Sequence, residues 1–206
     1  MFSSVMVIGL GLIGGSIASA AHALDDGPIV YGVDTDPATL AYAVETHAVD
    51  AAAQPGEAIS SGWLAAGVVD LVVIATPASA VGQWLQRLSD AGFNGIVTDV
   101  ASTKRGVMSA ARKHAGDAFS FVGGHPMAGS ERSGITAATP DLFRGAYYVL
   151  TPTDDTDADA FRQVHEFVGA LGARAITVPA EAHDEAVALI SHVPHVTAAA
   201  LVALAS

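Results

Sequence analysis

The sequence of 206 residues is 51% hydrophobic and 15% charged, and it contains no cysteine. These values indicate a globular protein with a sizeable core, and they exclude a disulfide framework and thiolate chemistry. The net charge of −12 argues against a nucleic-acid binder, because phosphate contacts need clustered Lys and Arg. We therefore expect a cytoplasmic protein that acts on a small molecule.

The apolar segment 5–23, VMVIGLGLIGGSIASAAHA, has the hydrophobicity of a signal peptide or a membrane span. However, no basic residue precedes it, and four glycines interrupt it where an apolar helix would have to form. We interpret it as a strand, a turn and a helix, and we expect no membrane partner.

Short apolar runs alternate with longer helical patterns along the rest of the chain. Strands are predicted at 5–9, 29–34, 69–75, 95–99, 119–123, 147–150 and 173–178, and helices at 12–24, 37–46, 77–91, 103–114 and 157–171. This alternation predicts a Rossmann-like α/β fold over residues 1–179, with a doubly wound, mostly parallel sheet. Residues 180–206 form one apolar helical pattern interrupted by Pro194, and we expect them to begin an all-helical domain.

The segment VIGLGLIGGS places the pattern Gly9-x-Gly11-x-x-Gly14 between a predicted strand and a predicted helix. In this context the glycines allow a tight turn, a close approach of the pyrophosphate of a dinucleotide, and close packing of helix on strand. The helix begins at Leu12 and Ile13, where backbone N–H groups are free to bind phosphate oxygens. The pattern predicts a dinucleotide site.

Asp34 ends the second predicted strand, twenty residues after the last glycine of the pattern. A carboxylate at this position accepts hydrogen bonds from the ribose hydroxyls and repels a 2′-phosphate. A second acid, Asp36, follows it, and the segment TDPATL contains no Arg or Lys to receive a 2′-phosphate. The expected cofactor is therefore NAD, and Thr76, after the third clear strand, is a candidate contact on its other side.

All nine basic residues lie between Arg87 and Arg174. An anionic small molecule would therefore meet either backbone N–H groups or basic side chains of this region. These include Lys104, Arg105, Arg132 and Arg144.

Three segments carry candidate chemical groups: TDVASTK (98–104), GGHPMAGSE (123–131) and HDEAVALISHVPH (183–195). In the second, His125 stands between a glycine pair and Pro126, which predicts a specialised turn at the end of a strand. Together these segments make the chain resemble the prephenate dehydrogenases, a family that includes arogenate-using relatives. The resemblance covers essentially all 206 residues.

The resemblance implies that NAD takes a hydride from the ring carbon bearing the 4-hydroxyl of prephenate, with loss of CO2. It assigns His125 as the acceptor of the hydroxyl proton, a role suited to a neutral imidazole. It also assigns Ser102 a hydrogen bond to this histidine and to the substrate hydroxyl. Without the resemblance, Ser102 is equally well interpreted as a helix N-cap.

The same resemblance assigns Glu131 a place near the substrate, His195 to substrate binding and His192 to support of the pocket. A capping role for Glu131, and a plain core role for each histidine, remain open. His192 and His195 are spaced for a metal on one helical face, but His183 is out of phase with them on a regular helix. We predict no metal site.

The family's helical domain forms a homodimer and supplies an arginine for a substrate carboxylate, yet no Arg or Lys follows Arg174 here. We expect a chain truncated within that domain, which binds NAD better than it turns over prephenate. Three functions stay open: a prephenate dehydrogenase, an arogenate dehydrogenase, and a catalytically silent NAD-binding protein with a regulatory role.

Overall fold

The computed structural model describes residues 1–65, 67–116, 118–192, 194, 197, 201 and 202, and of His192 only the backbone. The strands are β1 (Ser4–Ile8), β2 (Ile29–Val33), β3 (Ala51–Ala53), β4 (Leu71–Ile74), β5 (Ile96–Asp99), β6 (Ser120–Pro126), β7 (Tyr147–Thr151) and β8 (Arg174–Thr177). The helices are α1 (Leu12–His22), α2 (Pro37–Glu45), α3 (Pro55–Ser60), α4 (Ala78–Asp90), α5 (Arg105–His114), α6 (Ala158–Ala170) and α7 (Ala180–Val187). A 3₁₀ turn (Ile135–Ala137) and a π turn (Ala188–His192) complete the described elements.

The strands form one sheet in the order β3-β2-β1-β4-β5-β6-β7-β8. The first six are parallel to one another, β7 is antiparallel to β6, and β8 is parallel to β7. The predicted Rossmann-like, mostly parallel fold is confirmed. Because the parallel strands share one direction, their carboxyl ends lie at one edge of the sheet, where ligands bind in such folds.

The core is divided between the two faces of the sheet. Along β1, Val5 and Val7 contribute to one apolar cluster, and Met6 and Ile8 contribute to the other. This alternation follows from the period of two residues in a strand. Helices α1, α2 and α6 cover the first face, and α3, α4 and α5 cover the second.

Helix boundaries follow from local chemistry that the sequence displays. Pro37 occupies the first turn of α2, and the side chain of Asp36 caps this helix by accepting hydrogen bonds from two backbone N–H groups. Asp157 caps α6 in the same way, because its carboxylate accepts a hydrogen bond from the N–H of Ala160 at 2.7 Å. Asp36 therefore has a structural role as the cap of α2.

The predicted turn at His125 is wrong, because β6 continues through Pro126. Residues 120–122 of β6 pair with β5, and residues 123–126 pair with the antiparallel strand β7, with His125 opposite Val149. Pro126 does keep His125 out of helical geometry, as expected, but the result is extended backbone within a sheet. The prediction also lacked β3 and α3.

Helix α7 begins at Ala180, where the long C-terminal helix is predicted, and it packs against α5. The isolated positions 194, 197, 201 and 202 are also helical, but the remainder of the predicted continuation lies outside the described residues. The division into domains at residue 180 stays a prediction. Within the part of the chain that the structure describes, no helix is long and apolar enough to cross a membrane.

Candidate active site

The glycine pattern forms a tightly packed turn between β1 and α1. Gly9 has a φ of +94°, a left-handed conformation that favours glycine, and its N–H donates to the carbonyl of Val33 at 2.7 Å. A Cβ on Gly14 would lie 1.8 Å from the carbonyl oxygen of Gly9. Both positions therefore require glycine for the fold of the turn itself.

Gly11 differs from these two glycines, because a Cβ added to it would meet no atom within 4 Å. It is the N-cap of α1 and lies at the surface of the turn, so it leaves open space in front of the helix. The N–H groups of the first turn, including those of Leu12 and Ile13, have no partner within a helix. This end of α1 can therefore receive an anion.

Asp34 is held beside this turn by its own hydrogen bonds. One carboxylate oxygen accepts the N–H of Leu10 at 2.8 Å, and the other accepts the N–H of Asp36 at 3.0 Å. A carboxylate has about four acceptor positions, so two remain for further donors. The carboxylate is fixed in place and still able to bind two hydroxyl groups.

A cavity of about 550 Å³ opens at the carboxyl edge of the sheet. Gly9, Gly11, Asp34 and Thr76 line it, so the structure brings these predicted residues together. The hydroxyl oxygen of Thr76 is buried and has no hydrogen-bond partner among the described residues. Such an orphaned polar atom is expected where a ligand supplies the partner, and the volume of the cavity lies within the range of small-molecule and cofactor pockets.

Arg87 also lines this cavity, from α4. Its guanidinium lies 5.0 Å from the centre of the Trp84 ring, a cation–π arrangement. The sequence spacing gives no sign that Arg87 reaches the cavity, because Arg87 is far along the chain from Asp34. The cavity thus contains a cation that the segment after Asp34 lacks.

A buried ion pair ties the end of β5 to β6. Lys104 and Asp99 form a hydrogen-bonded ion pair, and both side chains are completely inaccessible to solvent. Lys104 also donates to the carbonyl of Gly124, and Asp99 accepts the N–H of Gly124 at 3.1 Å. Burial lowers the pKa of Lys104, and the charge of Asp99 opposes that shift. The expectation that Lys104 could meet an anionic ligand is wrong, because its charge is used inside the protein.

The imidazole of His125 lies at the carboxyl end of β6, at the same edge of the sheet as the cavity. Its Nδ1 lies 2.9 Å from Nε2 of His183, which is 2% exposed and belongs to α7. Nδ1 of His183 lies 2.9 Å from Oδ1 of Asp184. A chain of hydrogen bonds therefore connects a carboxylate, a buried histidine and a partly buried histidine.

Asp184 anchors this chain to the first turn of α5. Its Oδ1 accepts the N–H of Lys104 at 2.7 Å, and its Oδ2 accepts the N–H of Arg105 at 3.0 Å. Burial raises the pKa of Asp184, but the hydrogen bonds from Arg105, Lys104 and His183 outweigh burial, so that its pKa lies below the usual value. Asp184 therefore holds its negative charge at neutral pH.

His183 and Asp184 are site residues that the analysis of the sequence missed. On one helix, His183 is out of phase with the other histidines of its segment, and this phase was the reason to set it aside. Its partner, His125, lies 58 residues away in the sequence and on a strand. Only the tertiary packing of α7 against α5 and β6 brings the two rings together.

The remaining predicted residues of the chemical site are placed as follows. Ser102 is exposed, and its hydroxyl makes no hydrogen bond with the described residues. It is also not the cap of α5, because Asp184 binds the N–H groups there. Glu131 is exposed in the loop after β6. His195 and the side chain of His192 lie outside the described residues, and the proposed roles of all four stay predictions. Within the described part of the chain, no group of three or more His, Asp or Glu side chains is arranged so that it could hold a metal ion.

The turn, cavity and carboxylate define a dinucleotide-binding protein of the Rossmann class, with a histidine pair at the same edge of its sheet. Comparison with known proteins gives the family. The family described as "Prephenate dehydrogenase, nucleotide-binding domain" matches residues 18–177. The chain belongs to this family.

Curated relatives and solved structures agree with this assignment. The prephenate dehydrogenase of Bacillus subtilis is 37% identical over 204 residues, which are 98% of this chain and 53% of the relative. The prephenate dehydrogenase of Aquifex aeolicus, solved with hydroxyphenyl propionate and NAD+, superposes with a TM-score of 0.89 at 28% identity, covering 99% of this chain and 69% of that one. The arogenate dehydrogenase of Synechocystis gives a TM-score of 0.83 at 34% identity, covering 98% and 68%. The chain spans about half the length of the curated relatives it matches.

Proposed function

We propose that this chain contains the nucleotide site and the proton acceptor of an NAD-dependent dehydrogenase that converts prephenate to 4-hydroxyphenylpyruvate with loss of CO2. The observation that carries the proposal is the position of His125 at the sheet edge that also carries the dinucleotide cavity. The two features lie on β6 and β1, three strand spacings or about 14 Å apart. A dinucleotide is long enough to extend over this distance.

NAD would lie with its pyrophosphate at the first turn of α1 and its adenosine ribose on Asp34. The open space in front of Gly11 and the orphaned hydroxyl of Thr76 support this placement. The two acceptor positions left on Asp34 suit a ribose diol, and its negative charge disfavours a 2′-phosphate. When bound, NAD supplies the hydride acceptor for the reaction.

His125 would take the proton from the 4-hydroxyl of prephenate as the carbon–hydrogen bond at the same carbon breaks. The electron pair of the O–H bond forms a ring carbonyl as the C–H pair leaves as hydride. The C–C bond between the ring and its carboxylate then breaks to release CO2. Its electron pair completes the aromatic ring, and the carbonyl oxygen takes up a proton to become the phenol oxygen. A neutral imidazole matches this task near neutral pH. By resemblance to the family, Ser102 orients the hydroxyl, and Glu131, His192 and His195 contribute to the substrate pocket.

Arogenate is the alternative substrate, because relatives include the Synechocystis arogenate dehydrogenase. It differs from prephenate in carrying an amine where prephenate has a keto group. We also propose that residues 180–206 belong to a helical domain that forms a homodimer, and that the protein acts in the cytoplasm.

The test combines NAD binding by calorimetry with NADH absorbance on addition of prephenate or of arogenate. His125→Asn should lower the rate of NADH formation by about 100-fold or more and leave NAD affinity nearly unchanged. Asp34→Ala should weaken NAD binding instead. NADH formation that survives in His125→Asn would refute the assigned proton acceptor, whereas NAD binding without turnover of either substrate would favour a catalytically silent protein.

A further inference from the structure

We propose that His183 is a positioning residue that, together with Asp184, selects the tautomer of His125 in which Nδ1 carries the proton and Nε2 is unprotonated. The proposal deepens the function given above, since it assumes that His125 is the proton acceptor. It concerns Nδ1 of His125, which lies 2.9 Å from Nε2 of His183, and it assigns a role to a buried histidine that no other part of the mechanism uses.

The geometry is that of two successive hydrogen bonds. The distance of 2.9 Å between Nδ1 of His125 and Nε2 of His183 lies within the usual range for a hydrogen bond, and so does the distance of 2.9 Å between Nδ1 of His183 and Asp184. The two rings are nearly perpendicular, with an angle of 81° between their planes. They are therefore hydrogen-bonded and not stacked.

The direction of both hydrogen bonds follows from the carboxylate at the end of the chain. An ionised Asp184 can only accept, so Nδ1 of His183 must carry a proton and donate it. In a neutral imidazole the other nitrogen is then an acceptor, which means that Nε2 of His183 accepts a hydrogen bond from His125. Nδ1 of His125 must donate, and its Nε2 is left unprotonated.

The charges around the chain support an ionised Asp184. The carboxylate accepts two backbone N–H groups at the start of α5, where the helix dipole favours negative charge, and the guanidinium of Arg105 lies 3.6 Å away. From the side of β5 and β6, the charged groups are Lys104 and Asp99, which neutralise each other. The chain of hydrogen bonds thus begins at a carboxylate fixed by its surroundings.

The position of His183 is as well defined as that of the carboxylate. It is 2% exposed, and α7 is attached to α5 through Asp184, the next residue. A side chain buried in this way cannot exchange its partner for water. The hydrogen bond to His125 therefore restricts both the tautomer and the rotation of the imidazole, as an orienting carboxylate does for a catalytic histidine in other enzymes.

The experiment reads the tautomer directly, in the full 206-residue chain labelled with ¹⁵N at histidine. Long-range ¹H–¹⁵N correlation spectra distinguish protonated from unprotonated ring nitrogens, and the signals that His125→Asn removes belong to His125. In the wild type we expect Nδ1 of His125 to be protonated and Nε2 to be unprotonated. A spectrum with the proton on Nε2 of neutral His125 would overturn the proposal.

Two variants of His183 supply the comparison. His183→Leu removes the acceptor, so the Nδ1-protonated form of His125 should lose its dominance. His183→Gln retains an acceptor without a titratable ring and should preserve that form. His165→Gln, on the exposed side of α6, is the matched control and should leave the tautomer of His125 as in the wild type. An unchanged spectrum of His125 in folded His183→Leu would overturn the proposal.

A kinetic readout separates this proposal from the proposed function. In a form of the enzyme with measurable turnover, His183→Leu should lower kcat by about 100-fold, while the KM for NAD stays within about threefold of the wild-type value. His183→Gln should restore part of kcat. Absence of turnover in every form would refute the proposed function but would leave the tautomer result standing. A normal kcat in His183→Leu would overturn the positioning role alone.

Discussion

Lys104 and Asp99 form an ion pair from which solvent is completely excluded, and the backbone of Gly124 is bonded to both members. A Cβ on Gly124 would lie 2.6 Å from the carbonyl oxygen of Asp99, so only glycine at this position lets β6 approach the ion pair this closely. The residue before His125 is therefore held by one buried cation and one buried anion. This arrangement makes the ion pair part of the framework of the site.

Removing the cation of this pair should be costly. Lys104→Met leaves Asp99 buried without its counter-charge, and we expect the free energy of unfolding to fall by about 3–5 kcal/mol. Urea denaturation followed by circular dichroism measures the change. Lys113→Met, an exposed position on α5, is the matched control and should change stability by less than about 0.5 kcal/mol. Equal stabilities of the two variants would contradict the assignment.

The two glycines of the turn should respond differently to a methyl group. Gly14→Ala places a Cβ 1.8 Å from the carbonyl of Gly9, so we expect a loss of about 1–3 kcal/mol in stability. Gly11→Ala meets no atom of the protein, so its stability should stay within about 0.5 kcal/mol of wild type. Its NAD affinity should nevertheless fall, because the methyl group occupies the space in front of α1. Thermal unfolding and calorimetry on both variants test this difference, and unchanged NAD affinity in Gly11→Ala would contradict it.

The preference for NAD should depend on Asp34. Asp34→Ala removes the acceptor for the ribose hydroxyls, and we expect NAD affinity to fall about 10- to 100-fold. Because Arg87 lines the same cavity, the affinity for NADP relative to NAD should rise in this variant. Asp36→Asn, which alters the cap of α2, should change NAD affinity by less than about threefold. Calorimetric titration of both cofactors gives the ratio, and an unaltered ratio in Asp34→Ala would refute the assignment.

Asp184 should make stability depend on pH in the acid range. Because its folded pKa is lowered below the value of 3.8 for a free side chain, its contribution is complete above that value and is lost as the pH falls through the folded pKa. At about pH 7, Asp184→Asn should reduce the free energy of unfolding by about 1–2 kcal/mol. The difference from wild type should shrink at about pH 3. Asp159→Asn on α6 serves as the control, and a difference that stays constant with pH would contradict the prediction.

The fold was predictable because strongly apolar strands alternate with amphipathic helices. The exceptions have physical reasons. Strand β3 consists of Ala51–Ala53, and alanine has little preference for strands. The strand β6 ends in glycines and proline, which are typical of turns, but β7 pairs with it from the opposite direction. The direction of a neighbouring strand leaves no trace in the apolar pattern of either one.

The nucleotide half of the site was more predictable than the chemical half. Gly9, Gly11, Gly14 and Asp34 follow from local spacing within one β-α-β unit. The structure brings Gly9, Gly11 and Asp34 to one cavity and packs Gly14 against the carbonyl of Gly9. His183 was not predictable, because its role depends on a contact between α7 and β6 that no local spacing encodes. The burial of Lys104 was equally hidden, since lysine is rarely buried and its partner lies in the preceding strand.

Strand β6 changes its partner at residue 123, from β5 on one side to β7 on the other. The backbone of His125 is therefore already ordered before any ligand arrives, and the cost of about 1–2 kcal/mol for ordering one residue falls on folding and not on binding. Amide exchange at this position should be as slow as in the centre of the sheet. We therefore expect side chains and the loop at 127–134 to adapt to substrates of different shape, while the imidazole of His125 keeps the same position in every complex.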